Sequence, residues 1–197
     1  MGLANSEAVD KVRQALRDAG LDNQLIVLDE PAESPADLAR LVNADIGAIG
    51  VARIFAIGTR MVLVITAGDH APIKENLGPA LFLEGDAREA TDAETRGLTG
   101  YTADCLPPAG WRHDIPVVID RSLKRFEELY ILAGDPQCAL AISMDDPKRL
   151  TGGIVSWNIA RPLEGEVQAP AFRATNPLPG NRVLARSVAG VYVICQI

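Results

Sequence analysis

The sequence is poor in the residue types on which many hydrolytic and metal sites depend. It contains two histidines, His70 and His113, and three widely separated cysteines, Cys105, Cys138 and Cys195. No G-x-S-x-G, H-E-x-x-H or paired-cysteine pattern occurs, so the sequence indicates neither a Ser-His-Asp site nor a zinc site. An odd number of distant thiols also predicts no disulfide framework.

Nucleotide-binding loops and long apolar runs are missing as well. No G-x-G-x-x-G or Walker loop follows a predicted strand, and we expect no cofactor. No apolar run approaches the ~20 residues that span a bilayer. The polar, acidic start of the chain is unlike a signal peptide. A cytoplasmic protein without membrane contact is therefore expected.

The chain is acidic but otherwise of ordinary composition. Its 197 residues are 48% apolar and 23% charged, which is typical of a soluble globular protein. The net charge is −7, and the four arginines and two glutamates from Ile154 onward leave −9 for the first 153 residues. This balance argues against non-specific binding to nucleic-acid phosphates, although it leaves room for a local basic patch. The Lys124-Arg125 pair is interpreted as a solvated helix face.

One stretch organises the chain. Two apolar runs rich in β-branched residues, Gly50 to Ile57 and Met61 to Thr66, flank Gly58-Thr59-Arg60 and predict a β-hairpin in the core sheet. Side chains alternate along a strand, which places Val51 and Arg53 on one face. An arginine in an apolar strand either lines a cleft or reaches past the sheet edge to solvent, and both readings stay open.

Capping residues and apolar periodicity predict the other elements. Helices are expected at residues 6–19, 34–42, 73–77, 91–99 and 145–152, with a short helical turn after Asp120. Strands are expected at residues 25–28, 80–83, 117–119, 129–132 and 139–143. Since helices and strands alternate early and strands dominate later, the predicted fold class is α/β with a mixed sheet.

The last part of the chain differs from the rest. A hairpin of Val183 to Ser187 and Val191 to Ile197 is predicted around Ala189-Gly190. We therefore assign residues 1–153 to one domain and residues 154–197 to a C-terminal extension. The final strand would be an exposed edge unless it pairs with the main sheet or a second subunit, so a homodimer is one expectation.

Many short motifs follow one another in a recognisable order. They are the helix with Ser6, Val9, Leu16 and Gly20, the helix from Ser34 to Leu41, VLVITAG, ATDAETRGLTGY, a PP-x-G loop, VVID-x-SL, LAGDPQCALAIS and RLTGG. This series resembles the YbaK/prolyl-tRNA synthetase-associated domain family over roughly residues 5–155. No single motif would suffice, but their order, the chain length and the fold class all agree with the family.

The resemblance implies an editing function. Members of that family are aminoacyl-tRNA deacylases that hydrolyse the ester of a wrongly charged small amino acid on the tRNA 3′ end. It implies a mixed, partly barrel-like sheet with surrounding helices, and a pocket between the hairpin strands and a glycine-rich loop. The implied partners are the aminoacyl-tRNA 3′ end and an aminoacyl-tRNA synthetase. Such hydrolysis needs no side-chain nucleophile, because backbone N–H groups can hold the oxyanion while water or a ribose hydroxyl attacks.

The sequence departs from the family pattern in two places. The family's functional lysine, in a pattern like I-x-K-S-L-V-F, falls on Val51 when matched without gaps, and Arg53 is a candidate to supply the cation. The family loop similar to GGVPPFGH reads DCLPPAGW here, at residues 104–111. Glycines let a backbone approach a ligand closely, so a changed pocket shape or substrate is implied.

The candidate site follows from this match. Arg53 is the candidate catalytic residue. The candidate substrate-binding residues are Val51, Asp104, Leu106, Pro107, Pro108, Ala109, Gly110, Trp111 and Ser143. Cys105 as a nucleophile and Trp111 as a base-stacking platform are alternatives to packing roles. The missing lysine and glycines also fit a catalytically silent binding module, in which Trp111 or Leu106 would fill the pocket.

Overall fold

The computed structural model describes residues 7–21, 24–143 and 145–163, and the backbone of two short strands beyond them. The chain divides into two compact units, Met1–Gly165 and Glu166–Ile197. In the second unit Ser187–Val188 pairs antiparallel with Val191–Tyr192. These two short strands belong to the predicted hairpin, and the rest of it, including Ala189-Gly190, lies outside the described residues.

The first unit contains helices and short strands in alternation. The helices are α1 (Glu7–Asp18), α2 (Pro35–Val42), α3 (Lys74–Leu81), α4 (Asp92–Thr99) and α5 (Asp145–Thr151). The strands are β1 (Leu25–Val27), β2 (Gly50–Ile57), β3 (Arg60–Ala67), β4 (His70–Pro72), β5 (Ala87–Glu89), β6 (Val117–Asp120), β7 (Glu128–Asp135), β8 (Cys138–Ser143), β9 (Ile154–Ser156) and β10 (Ala160–Pro162). Across the described ranges, each helix is too short or too polar to span a bilayer.

The long hairpin of β2 and β3 lies at the centre of the larger sheet, as predicted. Its antiparallel register runs unbroken along the whole of β2, and the turn consists of Gly58 and Thr59 alone. Gly58 has a φ of +56°, the positive value that tight two-residue turns require at their first central position. Arg60, predicted in the turn, is the first residue of β3.

The strands form open sheets. The larger sheet has the order β5-β2-β3-β6-β9, in which β6 and β9 run parallel to their neighbours. A second, antiparallel sheet has the order β1-β8-β7, and β10 pairs with β4. The α/β class with a mixed sheet is therefore confirmed, and within the described ranges the sheets do not close into a barrel.

Local capping sets the helix ends where the sequence predicted them. The Ser34 hydroxyl accepts a hydrogen bond from the Asp37 backbone N–H, with Pro35 at the first position of α2. Thr91 and Glu94 form a capping box at the start of α4. The side chain of Asp120 caps the short 3₁₀ turn that follows β6.

The two faces of β2 pack against different partners. Ile54 faces the main core, which also contains the apolar face of α1. On the other face, Phe55 packs in a cluster with α3, and Val51 packs against a cluster that contains Leu38 of α2. Arg53 lies on β2 between Val51 and Phe55, and neither α2 nor α3 buries it.

The predicted strand at residues 80–83 is wrong. Ala80 and Leu81 complete α3, and Phe82 caps it in a left-handed conformation with a φ of 56°. The Phe82 N–H bonds to the carbonyls of Gly78 and Pro79. A short apolar run does not distinguish a strand from a helix, which explains the error. The strand that pairs with β2 here is β5.

The domain boundary also lies later than the predicted one after residue 153. Strand β9 pairs with β6, and β10 pairs with β4, so both belong to the first unit. The division falls after Gly165. These pairings are long-range, and the composition of residues 154–162 carries no signal for them.

Candidate functional site

A cleft of about 130 Å³ opens beside the first half of β2. Its walls come from the start of α2 (residues 33–35 and Leu38), from residues 49–53, from the turn at residues 103–106, and from Leu132 of β7. We name it the edge cleft. It brings together segments that lie far apart in the sequence.

The cleft exists because, on the side of β2 that faces away from β3, no strand pairs with its first half. Strand β5 pairs with β2 only from Phe55 to Ile57, and the one bridge to β7 is made by Ile49, the residue before β2. The Ile54 carbonyl accepts a hydrogen bond from Ala90 N, so its backbone groups face away from β3. Backbone direction alternates along an antiparallel strand, so the N–H and C=O of Ala52 face the same way. The backbone N–H and C=O of Ala52, which lines the cleft, therefore take no part in strand pairing.

A close crossing of β2 and β7 positions the wall of the edge cleft that Leu132 forms. A Cβ atom on Gly50 would lie 2.6 Å from Cγ1 of Ile131. Only a residue without a side chain permits this approach. Gly50 thus allows β7 to bring Leu132 to the cleft.

Arg53 supplies the positive charge of the edge cleft. Its Nε lies 3.6 Å from Oε1 of Glu89, and the two side chains are 37% and 54% exposed. This separation is too long for a hydrogen bond. An exposed ion pair is worth about 0–1 kcal/mol, so the guanidinium is free to turn toward a ligand.

Negative charge and apolar surface complete the site. The exposed carboxylates of Glu33 and Asp104 lie on the walls of the same cleft as Arg53. The apolar wall consists of Leu38, Ile49, Leu106 and Leu132. A ligand in this cleft would meet one cation, two anions and a small apolar pocket.

The loop at residues 104–111 divides between the cleft and the core. Asp104 and Leu106, two of the candidate substrate-binding residues, line the cleft. The following residues, Pro107, Pro108 and Ala109, are buried in the body of the unit. The Trp111 indole Nε1 donates to the Pro107 carbonyl at 2.9 Å. The second half of the loop is therefore a support for the first half and not part of the cleft.

Gly110 fixes this loop to its surroundings. Its φ is +84°, and an added Cβ would lie 2.9 Å from the Tyr101 hydroxyl. That hydroxyl donates to the Gly110 carbonyl at 3.0 Å. Burial raises the pKa of Tyr101 to about 12, so it remains a donor at neutral pH.

Two other candidates lie outside the edge cleft. The Ser143 hydroxyl, at the end of β8, donates to Oδ2 of Asp146 at 2.8 Å and helps to hold the start of α5. Cys105 is buried, and its burial raises the pKa of its thiol above the usual value. A thiol that stays protonated is a poor nucleophile, so packing is the role that fits Cys105.

The histidines do not form a catalytic or metal centre with the cleft. His70 Nδ1 lies 2.6 Å from Oδ1 of Asp69. Within residues 7–21, 24–143 and 145–163, no cluster of three or more potential metal ligands comes together.

Sequence reasoning missed the contribution of α2 and of the backbone. Ser34 and Pro35 were recognised as a helix start, but nothing local indicates that this start packs beside β2. The backbone N–H of Ala52 could not be identified as a functional group from the side chains in the sequence. Glu33 could have been noticed only as an acid just before the helix cap.

Comparisons with known proteins agree with this architecture. The aminoacyl-tRNA editing domain family matches residues 29–150. A crystal structure of a candidate trans-editing enzyme for prolyl-tRNA synthetase has a TM-score of 0.72 at 24% identity, covering 77% of this chain and 96% of that chain. A scaffold protein for presenting grafted linear epitopes has a TM-score of 0.73 at 22% identity, covering 80% and 99%. The hypothetical protein APE2540 has a TM-score of 0.70 at 23% identity, covering 77% and 99%. No curated protein matches the sequence significantly.

Proposed function

Because the chain belongs to the aminoacyl-tRNA editing domain family, we propose that it hydrolyses the ester of a small amino acid wrongly attached to the 3′ end of a tRNA. The observation that carries this proposal is the edge cleft. Every residue of its walls falls within the matched range, residues 29–150. The cleft also combines a cation with an open strand edge, and both can stabilise the oxyanion that forms during ester hydrolysis.

Cleft size and charge favour a small aminoacyl group. The cleft volume of about 130 Å³ accommodates only a few non-hydrogen atoms, since one water molecule occupies about 30 Å³ in the liquid. The α-amino group of the ester is largely cationic near neutral pH, and the carboxylates of Glu33 and Asp104 suit it. The apolar wall suits a short side chain, as in alanine, cysteine or serine.

The chemistry assigns a separate role to the backbone and to Arg53. Water adds to the ester carbonyl carbon, the bond to the ribose oxygen breaks, and the proton of the water passes to that oxygen. The N–H of Ala52 is placed to hold the negative oxygen of the tetrahedral intermediate. Arg53 adds a positive charge beside it and is the catalytic cation of the proposal.

The alternative of a silent binding module is not favoured. It predicted that Trp111 or Leu106 would fill the pocket. The Trp111 ring is tied to Pro107 outside the cleft, and Leu106 forms a wall of a cleft that stays open.

The test is hydrolysis of a panel of mischarged tRNAs by the parent, Arg53→Ala and Arg53→Lys. The panel carries alanine, cysteine and serine. Loss of a charge that stabilises the intermediate should lower kcat by about 10²–10³-fold in Arg53→Ala, with partial activity in Arg53→Lys. Arg60→Ala is the matched control, because Arg60 lies in the same hairpin, exposed and outside the cleft.

Two outcomes would contradict the proposal. A folded parent that hydrolyses none of these esters would remove the editing function. Equal activity of parent and Arg53→Ala would remove Arg53 from the reaction and leave the backbone as the main stabiliser.

The identity of the tRNA, association with a synthetase and formation of a homodimer are further proposals. The tRNA for proline is the first to test, because one structural neighbour is a candidate trans-editing enzyme for prolyl-tRNA synthetase. Association with a synthetase would be measured by co-sedimentation with that enzyme. A homodimer would be measured by the solution mass of the full chain.

A further inference from the structure

A basic surface lies on the same unit as the edge cleft, although the chain as a whole has a net charge of −7. Arg121, Lys124 and Arg125 belong to the 3₁₀ turn after β6. Together with Trp157 they line an open cavity of about 420 Å³. All three cations are exposed. We name these four residues the basic surface.

Two acidic residues lie at or beside this cavity, fewer than its three cations. Asp120 is buried and accepts a hydrogen bond from the Ser122 backbone N–H at 2.9 Å. Asp69 accepts two hydrogen bonds from Arg125, at 2.8 and 2.9 Å. Burial would raise the pKa of Asp69, but its hydrogen bonds from Arg125 and His70 outweigh that effect and lower it. Asp69 therefore compensates the charge of Arg125 and also contacts His70, but it forms no ion pair with Arg121 or Lys124.

Arg121 and Lys124 supply the excess positive charge. Within the described ranges neither side chain forms an ion pair with an acid. Glu127 and Glu128 follow shortly in the sequence, but they do not line the cavity. Among the residues that line the cavity, three cations thus stand against the single carboxylate of Asp120.

Trp157 is the aromatic part of the basic surface. It is 67% exposed, and the guanidinium of Arg121 lies over its ring. Exposed aromatic rings flanked by arginine are platforms on which unpaired bases stack. Trp157 lies beyond residues 29–150, the range that matches the family, so the match gave no indication of it.

A third cavity connects the basic surface with the edge cleft. It shares Ser34, Pro35, Val51 and Arg53 with the edge cleft. At its other end it shares His70 with the cavity of the basic surface. Shared lining residues therefore link neighbouring cavities from the proposed ester site to the cavity that Trp157 lines.

We propose that the basic surface binds the single-stranded 3′ end of the tRNA whose terminal ester occupies the edge cleft. Arg121 and Lys124 contact backbone phosphates, and Trp157 stacks on a base. Single-stranded RNA offers this combination, because its phosphates alternate with bases that are free to stack. The inference rests on the proposed function for the identity of the RNA, and on the neighbouring cavities for its path.

The first experiment measures binding of a deacylated RNA minihelix that ends in unpaired CCA, by fluorescence anisotropy at several salt concentrations. The double variant Arg121→Ala/Lys124→Ala should bind at least about tenfold more weakly than the parent near 0.1 M salt. The slope of log K against log salt should fall by about 1.4, since each phosphate contact in a single strand contributes about 0.7. The control Arg17→Ala/Arg96→Ala removes the same charge from α1 and α4 and should match the parent.

The second experiment isolates stacking. Trp157→Ala should weaken minihelix binding about tenfold or more, with the salt slope unchanged, because stacking releases no counterions. Trp157→Phe should keep most of the affinity. Equal weakening by both substitutions would overturn the stacking role.

Hydrolysis of 3′-alanyl-adenosine separates this inference from the proposed function, since this ester has no upstream phosphates. If the parent hydrolyses it while the double variant binds the minihelix like the control, the basic surface is not the RNA site and the editing cleft stands. If the parent hydrolyses no ester but the double variant loses affinity, the basic surface stands and the editing function fails. Absence of minihelix binding by the parent would overturn the basic surface directly.

Discussion

The carboxylate of Glu89 faces the guanidinium of Arg53 across the β2–β5 junction, with Oε1 3.6 Å from Nε. This carboxylate competes with any anionic ligand of Arg53. Because the pair is exposed, breaking it should change the free energy of unfolding by less than about 1 kcal/mol. Removing Glu89 should therefore affect ligand binding by Arg53 more than it affects the stability of the fold.

Glu89→Gln should raise kcat/KM for a mischarged tRNA up to about fivefold, which corresponds to the upper energy of an exposed pair. Steady-state hydrolysis measures this. Glu84→Gln removes the same charge from an exposed position outside the cleft and should have no effect. A fall in kcat/KM for Glu89→Gln would instead mean that Glu89 holds Arg53 in its working position.

Val51→Lys should restore part of the activity lost in Arg53→Ala. Val51 lines the edge cleft and is paired with Thr66 of β3, whose buried hydroxyl has no hydrogen-bond partner within the described ranges. An ammonium group on this face has the cleft and that hydroxyl within reach. We expect a gain of about tenfold in kcat over Arg53→Ala, a typical effect of one restored charge contact.

Val51→Met in the same background is the control, since it adds length without charge. If both double variants are equally inactive, an ammonium group at position 51 does not replace the guanidinium of Arg53.

Gly110→Ala should destabilise the unit, whereas Gly97→Ala should not. Gly110 has a φ of +84° and an added Cβ would crowd the Tyr101 hydroxyl, so a cost of about 1–3 kcal/mol is expected. Gly97 lies inside α4 with open space around its Cα, so alanine there should stabilise by about 0.5–1 kcal/mol. Urea unfolding of the two variants checks this. Equal stability would mean that the loop relaxes around the new methyl group.

Acid should weaken the start of α4 through Glu94. The Arg88 side chain, followed by the backbone N–H and hydroxyl of Thr91, hydrogen-bonds to this carboxylate and lowers its pKa to about 2. Because the folded pKa lies below the unfolded value of about 4.3, Glu94 stabilises the fold above pH ~4.3, and this contribution is lost as the pH falls toward 2.

The measurement is the urea midpoint of the parent and Glu94→Gln between about pH 2 and 7. Glutamine keeps a capping acceptor but cannot ionise. The parent's advantage should disappear as the pH approaches 2. A constant difference across the range would show that the charge of Glu94 does not stabilise the fold.

Features that depend on neighbouring residues could be predicted from the sequence. Ser34 and Thr91 begin helices because a cap needs only the next few residues, and the β2–β3 hairpin needs only a two-residue turn. Features that depend on distant segments could not. Nothing near Asp104 shows that it lines the same cleft as Glu33, and nothing near Trp157 shows that Arg121 lies over its ring.

The distance in sequence between the walls of the edge cleft has a consequence for folding. The start of α2, the first half of β2, the turn at residues 103–106 and Leu132 must all meet before the cleft exists. Closing loops of this length costs entropy before any contact compensates for it, so such assembly is slow compared with helix or hairpin formation. During synthesis the hairpin can form early, but the cleft stays incomplete until β7 has left the ribosome and crossed β2 at Gly50.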